Sequence, residues 1–198
     1  MFLEELKKKD IILASRSPRR KILLEALGID FRIIVPDTGE DYPPGPAPGE
    51  VAIDLALRKA RSVLNKLPDN RDIIVIASDT IVCLDDEILN KPEDRREAIE
   101  MLRKLSGRSH NVITGVSIAS KEKELSFFSE TKVNFTVLEV EEIEYYVDAF
   151  KPYDKAGSYG IQEWIGYVGI DNIEGSYFNV MGLPVQRLYG ELKEFMAK

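Results

Sequence analysis

The chain has 198 residues, 44% of them hydrophobic, enough to bury one substantial core or two smaller ones. Its formal net charge of −7 excludes a basic field able to hold long nucleic acid, so a phosphate-bearing partner should be small and gripped locally. With Cys83 and His110 as its sole cysteine and histidine, it excludes an internal disulfide and Cys- or His-rich metal sites; a metal would be held by oxygens, which suits magnesium or manganese. Residues 1–10 are charged and lack the apolar run of a signal peptide, and no segment has the length of a membrane span. A cytoplasmic protein without membrane contact is expected.

The apolar run at 11–13 leads into Ala14-Ser15-Arg16-Ser17-Pro18-Arg19-Arg20, and an apolar-periodic segment at 21–27 stops at Gly28. This predicts strand, tight turn and helix, with Ser17 at the N-cap and Pro18 at the first helical position, where its missing N–H costs nothing. A helix N-terminus offers unpaired N–H groups and the positive end of the helix dipole. Arg19 and Arg20 oppose that dipole, so the turn suits a bound anion better than it suits the helix. Phosphate is the anion expected; solvated arginines beside ordinary serine caps are the plain alternative.

A second strand is expected at 31–35. Residues 36–49 are rich in proline and glycine, carry Asp37, Glu40 and Asp41, and read as an ordered surface loop or a lid. Residues 50–67 form an amphipathic helix with Val51, Leu55, Ala56 and Val63 on one side; its Arg58, Lys59 and Arg61 would ordinarily be a solvated face. The β-branched run at 73–77 predicts a buried central strand ending in Ser78-Asp79-Thr80, and open α/β sheets bind ligands at such strand ends. Residues 81–84 continue as a strand, Asp85-Asp86 turns, and Ile88-Leu89 returns. Asn90-Lys91-Pro92 then leads into a helix over 94–105.

Residues 111–119 and 124–140 are expected to be long antiparallel strands, followed by a short helix at 141–149. The stretch from Asp154 to Gln162 is too polar and glycine-rich for plain core. A strand at 167–173, a short helical piece opened by Gly175-Ser176-Tyr177, and a closing helix at 184–196 complete the chain. There is no repeat, low-complexity tract or linker. The order argues for one α/β domain over 1–198 with a mixed sheet, in one lobe or two around a cleft.

The unusual polar residues are Ser15, Arg19, Arg20, Asp79, Thr80, Lys91, Asp154, Lys155 and Gln162. Cations that neutralise a triphosphate, beside acids that hold a metal or deprotonate water, make phosphate chemistry the natural reading. No G-x-x-x-x-G-K-[ST] loop, serine–histidine–acid order or cysteine–histidine pair occurs, and Gly157 with Gly160 is too little for a dinucleotide fingerprint. Cys83 reads as core, Trp164 as partly buried surface and His110 as a structural hydrogen-bonder.

Ordered motifs then line up over nearly the whole chain: Ser15-x-Ser17-Pro18-Arg19-Arg20; Ser78-Asp79-Thr80; Lys91-Pro92; Leu105-Ser106-Gly107-x-x-His110-x-Val112-x-Thr114-Gly115-Val116; Asp154-Lys155-Ala156-Gly157-x-Tyr159-Gly160-Ile161-Gln162; and Gly175-Ser176-Tyr177-x-Asn179-Val180-x-Gly182-Leu183-Pro184. Together they resemble the Maf family of nucleoside triphosphate pyrophosphatases. The resemblance implies a mixed, elongated sheet flanked by helices around a central cleft, similar to inosine-triphosphate pyrophosphatases. It implies hydrolysis of a nucleoside triphosphate to monophosphate and pyrophosphate with a divalent metal, magnesium or manganese, in a house-cleaning role.

On the same resemblance Asp79 is the general base or a metal ligand, and Glu40 is the best match to a further metal-binding acid. Ser15, Arg19, Arg20, Lys59, Lys91 and Lys155 become charge or hydrogen-bond partners of the triphosphate. One of Arg19 and Arg20 is expected to reach phosphate while the other packs locally. Thr80 and Gln162 fall, with Arg19, at positions tied to substrate choice, and the Asp154–Gln162 stretch resembles the branch acting on dTTP and UTP. Gln162 offers a donor and an acceptor, as the O4 and N3–H edge of such a pyrimidine requires. The same chemistry on 7-methyl-GTP or a deaminated purine, and a nucleotide-binding regulator of septum formation without turnover, stay open. So does a homodimer.

Overall fold

The computed structural model describes residues 2–69, 72–85 and 87–197. In chain order the elements are α1 (Phe2–Leu6), β1 (Asp10–Ala14), α2 (Pro18–Glu25), β2 (Arg32–Ile33), α3 (Pro48–Leu64), β3 (Ile73–Leu84), β4 (Glu87–Leu89) and α4 (Arg95–Leu105). There follow β5 (Ser109–Ala119), β6 (Glu124–Phe135), α5 (Val140–Phe150), a 3-10 turn (Ala156–Ser158), α6 (Trp164–Gly169), β7 (Ile170–Glu174), α7 (Tyr177–Met181) and α8 (Val185–Ala197). The strands make one seven-stranded sheet in the order β2-β1-β3-β5-β6-β7, with β4 on β3. It is mixed: β1 is parallel to β2 and β3, while β4 is antiparallel to β3 and β7 to β6. No helix among the described residues is long and apolar enough to cross a membrane.

The chain groups into two compact units. The first takes the chain up to Asp79, then Thr114–Ser129 and everything from Gly182; the second takes Thr80–Ile113 and Glu130–Met181. In the first, the fully buried Ile12 and Ala14 of β1 pack with Val75 and Ala77 of β3 and with Ala60, Val63 and Leu64 of α3. β1 and β3 lie in register, Ala14 opposite Ala77. A Cβ at Gly115 would overlap the backbone of Ala52, so the bare glycine sets how closely α3 lies on the sheet. Pro48 and Glu50 start that helix, the Glu50 carboxylate accepting the Ala47 N–H at 3.0 Å.

The core of the second unit gathers Leu102 and Leu105 of α4, Val112 of β5, Val133 of β6, Ile143, Tyr146 and Val147 of α5, and Tyr159 and Ile165. Both long helices here are capped from their own sequence. Asp94 accepts the Glu97 N–H at 2.8 Å, and Glu142 accepts the Glu139 N–H at 2.8 Å.

Several sequence expectations shift. The runs at 73–77 and 81–84 are one unbroken strand, so Ser78, Asp79 and Thr80 lie within β3 rather than past its end. β6 stops at Phe135: its register breaks at Asn134/Phe135, and the Leu138 N–H is taken by Ser106 Oγ at 2.8 Å. The first residues of the strand expected at 167–173 belong to helix α6, whose buried positions, Ile165 and Gly169, are four apart, and only Ile170–Glu174 is extended. β2 is shorter than expected, and α1 was not foreseen. Ser17 has the extended backbone of an N-cap but its side chain caps nothing; its N–H is instead accepted by Ser15 Oγ at 3.1 Å. Of the Asp85-Asp86 turn, Asp86 lies outside the described residues.

Candidate active site

In the first unit the in-register pairing of β1 and β3 makes Ser15 and Ser78-Asp79 follow from neighbouring alanines. Ser15 is buried. Gly182, with φ of 110°, presents its carbonyl to this neighbourhood: Arg20 Nε donates to it at 2.9 Å and Ser78 Oγ at 3.0 Å. Only glycine reaches that φ easily, which accounts for the Gly182-Leu183-Pro184 motif. Arg20 is thus the arginine fixed locally. Burial pulls its guanidinium below its ordinary pKa, opposed by the charge of Asp79, added to by Arg19 and again opposed by Glu40.

Lys59 completes this group. Its Nζ donates to Asp79 Oδ1 and, at 3.1 Å, to Glu40 Oε1. Lys59 is 8% exposed and Asp79 7%, so each charge needs the other. Lys59 is buried because it shares the inner stripe of α3 with Leu55, Ala56 and Val63; it is no solvated side chain. Glu40 and Asp79 converge on one point, the position of that Nζ. Lys59 Nζ holds that point, so a hard divalent cation would bind through carboxylate oxygen of Glu40 and Asp79 that Lys59 leaves, with water and phosphate oxygens as its other ligands. Among the described residues no group of three or more His, Cys, Asp or Glu is placed to hold a metal by itself.

The second unit carries the rest. Thr80 follows Asp79 along β3 and is half-buried; Lys91 is exposed, just after Asn90, whose carbonyl accepts the Gly157 N–H at 3.2 Å. Lys155 is 8% exposed, donates to Asp154 Oδ1 at 2.7 Å and forms an ion pair with Glu163 Oε1 at 3.1 Å. Just beyond it, Gly157 (φ 67°) and Ser158 (φ 62°) are both left-handed. A side chain at Gly157 would press on Val82 at 3.0 Å, and Ser158, a strained non-glycine, is fully buried with its hydroxyl donating to Met101 Sδ at 3.1 Å.

Gly160 leads into the turn that carries Gln162. The Glu163 N–H closes it onto the Gly160 carbonyl at 2.9 Å. The Gly160 N–H donates to Tyr146 Oη at 3.0 Å, and the Tyr146 hydroxyl donates to Glu163 Oε2. Gln162 Oε1 is buried with no hydrogen-bond partner among the described residues, an acceptor left over inside a polar group.

His110 keeps to its expected structural part. Its Nε2 pairs with Tyr159 Oη at 2.7 Å, its ring meets Phe135 and Tyr159 edge-on, and burial lowers its pKa to about 4, so it is neutral near pH 7. The Gly175-Ser176-Tyr177-x-Asn179 motif is also architectural. Thr131 Oγ1 accepts from the Ser176 N–H and from Asn179 Nδ2, both at 3.0 Å, and a Cβ at Gly175 would lie 2.7 Å from that oxygen. Cys83 is buried core, its thiol pushed up to about 11, chiefly by burial.

The structure therefore brings Ser15, Arg19, Arg20, Glu40, Lys59 and Asp79 together in one unit, and Lys155 and Gln162 with Glu163 in the other. Sequence reasoning missed Glu163 and Tyr146. Glu163 adjoins Gln162 in the motif, so its position was visible; Tyr146 sits on the apolar stripe of α5, where nothing marks its hydroxyl.

The family model for "Maf-like protein" matches residues 10–195. The dTTP/UTP pyrophosphatase of Porphyromonas gingivalis (strain ATCC 33277) is 51% identical over 195 residues, covering 98% of each chain. That of Bacteroides thetaiotaomicron is 49% identical over 194 residues, covering 98% of this chain and all of the relative. The structure of the Staphylococcus aureus Ham1 protein superposes with a TM-score of 0.51 at 18% identity, over 92% of this chain and 100% of that one, a likeness of fold alone. A family model running from β1 to the closing helix, with relatives half identical along their full length, makes this chain a member of the Maf family.

Proposed function

We propose that the protein hydrolyses dTTP and UTP to the nucleoside monophosphate and pyrophosphate, clearing surplus or non-standard pyrimidine triphosphates from the cytoplasmic pool. The observation that carries this reading is the buried Lys59–Asp79 pair, with the exposed Glu40 on the same ammonium and Arg20 beside it: paired charge, largely out of water, at an arginine-bearing turn. The substrates named for the half-identical relatives support the choice of base.

In this reading Asp79 takes a proton from water as the water oxygen bonds to the α-phosphorus and the bond from that phosphorus to the bridging oxygen of pyrophosphate breaks. Lys59 orients the carboxylate. Ser15, Arg19, Arg20, Lys91 and Lys155 meet phosphate oxygens, with Arg19 the arginine that reaches them and Arg20 the one that shapes the turn. Magnesium or manganese, held by Glu40 and Asp79, would neutralise phosphate charge when bound. Thr80 and Gln162 face the nucleoside. The leftover acceptor Oε1 of Gln162 suits the N3–H of thymine or uracil, and its Nε2 suits O4. The residues at 1–198 act as one catalytic domain.

The test is pyrophosphate release from dTTP, UTP, CTP, 7-methyl-GTP and ITP with magnesium or manganese, for the wild type and Asp79→Asn. Turnover of dTTP and UTP, reduced about 10²–10⁴-fold in kcat by the substitution, is expected. Turnover of 7-methyl-GTP or ITP instead would move the substrate to a purine, and tight binding without any turnover would replace the enzyme by a regulator.

A further inference from the structure

We infer that Glu163, held by Tyr146, is a positioning residue that sets pyrimidine selectivity by fixing Gln162 and Lys155 together; the inference rests on the function proposed above. The chain of bonds has a forced direction. Tyr146 is fully buried, and its oxygen accepts the Gly160 N–H at 3.0 Å. Its one hydroxyl proton therefore goes to Glu163 Oε2. The other oxygen, Oε1, makes an ion pair with Lys155 Nζ at 3.1 Å. Burial, then the hydrogen bond to Glu163 and its charge, push the Tyr146 hydroxyl well above its ordinary pKa, so it remains a donor.

Gln162 stands inside this ring. Its turn is closed once by the backbone, Glu163 N–H to Gly160 carbonyl at 2.9 Å, and a second time through Tyr146. A Cβ at Gly160 would lie 2.9 Å from Gln162 Nε2 and 2.9 Å from Glu163 Cδ, so the bare glycine lets both side chains lie close over it. The Nε2 end of the carboxamide lies over the bare face of the residue whose amide Tyr146 holds, and Oε1 is the end left over. A carboxamide able to turn over would read cytosine as well as uracil, because the two bases exchange donor and acceptor at position 4 and N3. Tyr146 and Glu163 hold one orientation, and the same carboxylate places Lys155.

The full-length protein with Tyr146→Phe, Glu163→Ala, Glu163→Gln and Gln162→Ala would be assayed for kcat and KM on UTP, dTTP and CTP, with folding followed by thermal unfolding. Tyr146→Phe and Glu163→Ala should each lower the UTP-to-CTP ratio of kcat/KM by about tenfold, through KM for UTP, with kcat on UTP within about threefold of wild type. Glu163→Gln can still accept from Tyr146 but turns a donor toward Lys155, so it should keep the ratio and change KM for every triphosphate alike. If Tyr146→Phe fails to fold, Glu163→Ala decides. An unchanged ratio in the folded variants, or equal losses on UTP and CTP, overturns the inference while leaving the pyrophosphatase intact. A wild type that turns over neither UTP nor dTTP overturns both.

Discussion

Lys59 and Lys155 are equally buried, 8% exposed each, and each ammonium is held by two carboxylates. The chain builds them by different means. Lys59 is placed by regular structure: it stands on a 17-residue helix, on the stripe that also buries Leu55 and Val63, and the helix is brought down on the sheet by a missing side chain at Gly115. Lys155 is placed by irregular backbone. Its loop carries consecutive left-handed residues and is anchored by single hydrogen bonds, Gly157 to Asn90, Tyr159 to His110 and Gly160 to Tyr146. A helix positions a group through many weak contacts and tolerates the loss of one; a loop held at a few points concentrates its sensitivity there.

The sharpest way to break the helical side is Gly115→Ala. The added methyl would overlap the carbonyl of Ala52 in α3, a backbone atom with no rotamer to yield, so helix and strand must separate. A loss of about 3 kcal/mol, the top of the usual range for overpacking, is expected in urea unfolding. kcat should fall with it, because the same helix carries Lys59. A variant as stable as wild type would show that helix placement is not set at this contact.

The loop side breaks with pH. Tyr159 is anchored by His110, whose pKa in the folded protein is lowered to about 4 by burial. In the unfolded chain it would titrate near about 6.5. Over the interval between those values the unfolded chain binds more protons, so the His110 contribution is whole above pH 6.5 and is lost as pH falls toward 4. Between pH 7.5 and about 5 the wild type should lose about 2 kcal/mol that His110→Gln, having nothing to titrate there, does not lose. Parallel curves of stability against pH for the two proteins would remove His110 from the account.

The two lysines also differ in how legible they were. Val51, Leu55, Lys59 and Val63 recur at fours, so the burial of Lys59 was written in the helical period, although the general habit of lysines pointed to solvent. Strand β3 and the arginine turn were likewise plain, because a β-branched run and an S-P-R-R turn each follow from local sterics and capping. The clamp around Lys155 was not plain. Tyr146 lies in α5 and looks like one more apolar-face aromatic; only tertiary structure puts its hydroxyl between the Gly160 amide and Glu163. The 167–173 segment was read as a strand, whereas its first residues continue α6, whose buried positions, Ile165 and Gly169, are four apart. Local chemistry is visible in sequence; partners supplied from far along the chain are not.

The smallest effect separates the lysines directly. Lys59→Met leaves Asp79, whose side chain is 10% exposed, without the ammonium that donates to it, and the neighbouring Arg20 then opposes the penalty. Lys155→Met leaves Glu163, which keeps the hydroxyl of Tyr146, and Asp154, whose side chain is 62% exposed and can turn to water. A stranded buried charge costs more than a solvated one, so Lys59→Met should destabilise by about 2 kcal/mol and Lys155→Met by about 1 kcal/mol. Adding Asp79→Asn removes the stranded charge and should return about half of the Lys59→Met loss, whereas the same addition to Lys155→Met should be additive within about 0.5 kcal/mol. Equal losses for the two lysines, or coupling of Asp79 to neither, would mean that their carboxylate partners share the same solvation and that the contrast between helix and loop carries no energetic consequence.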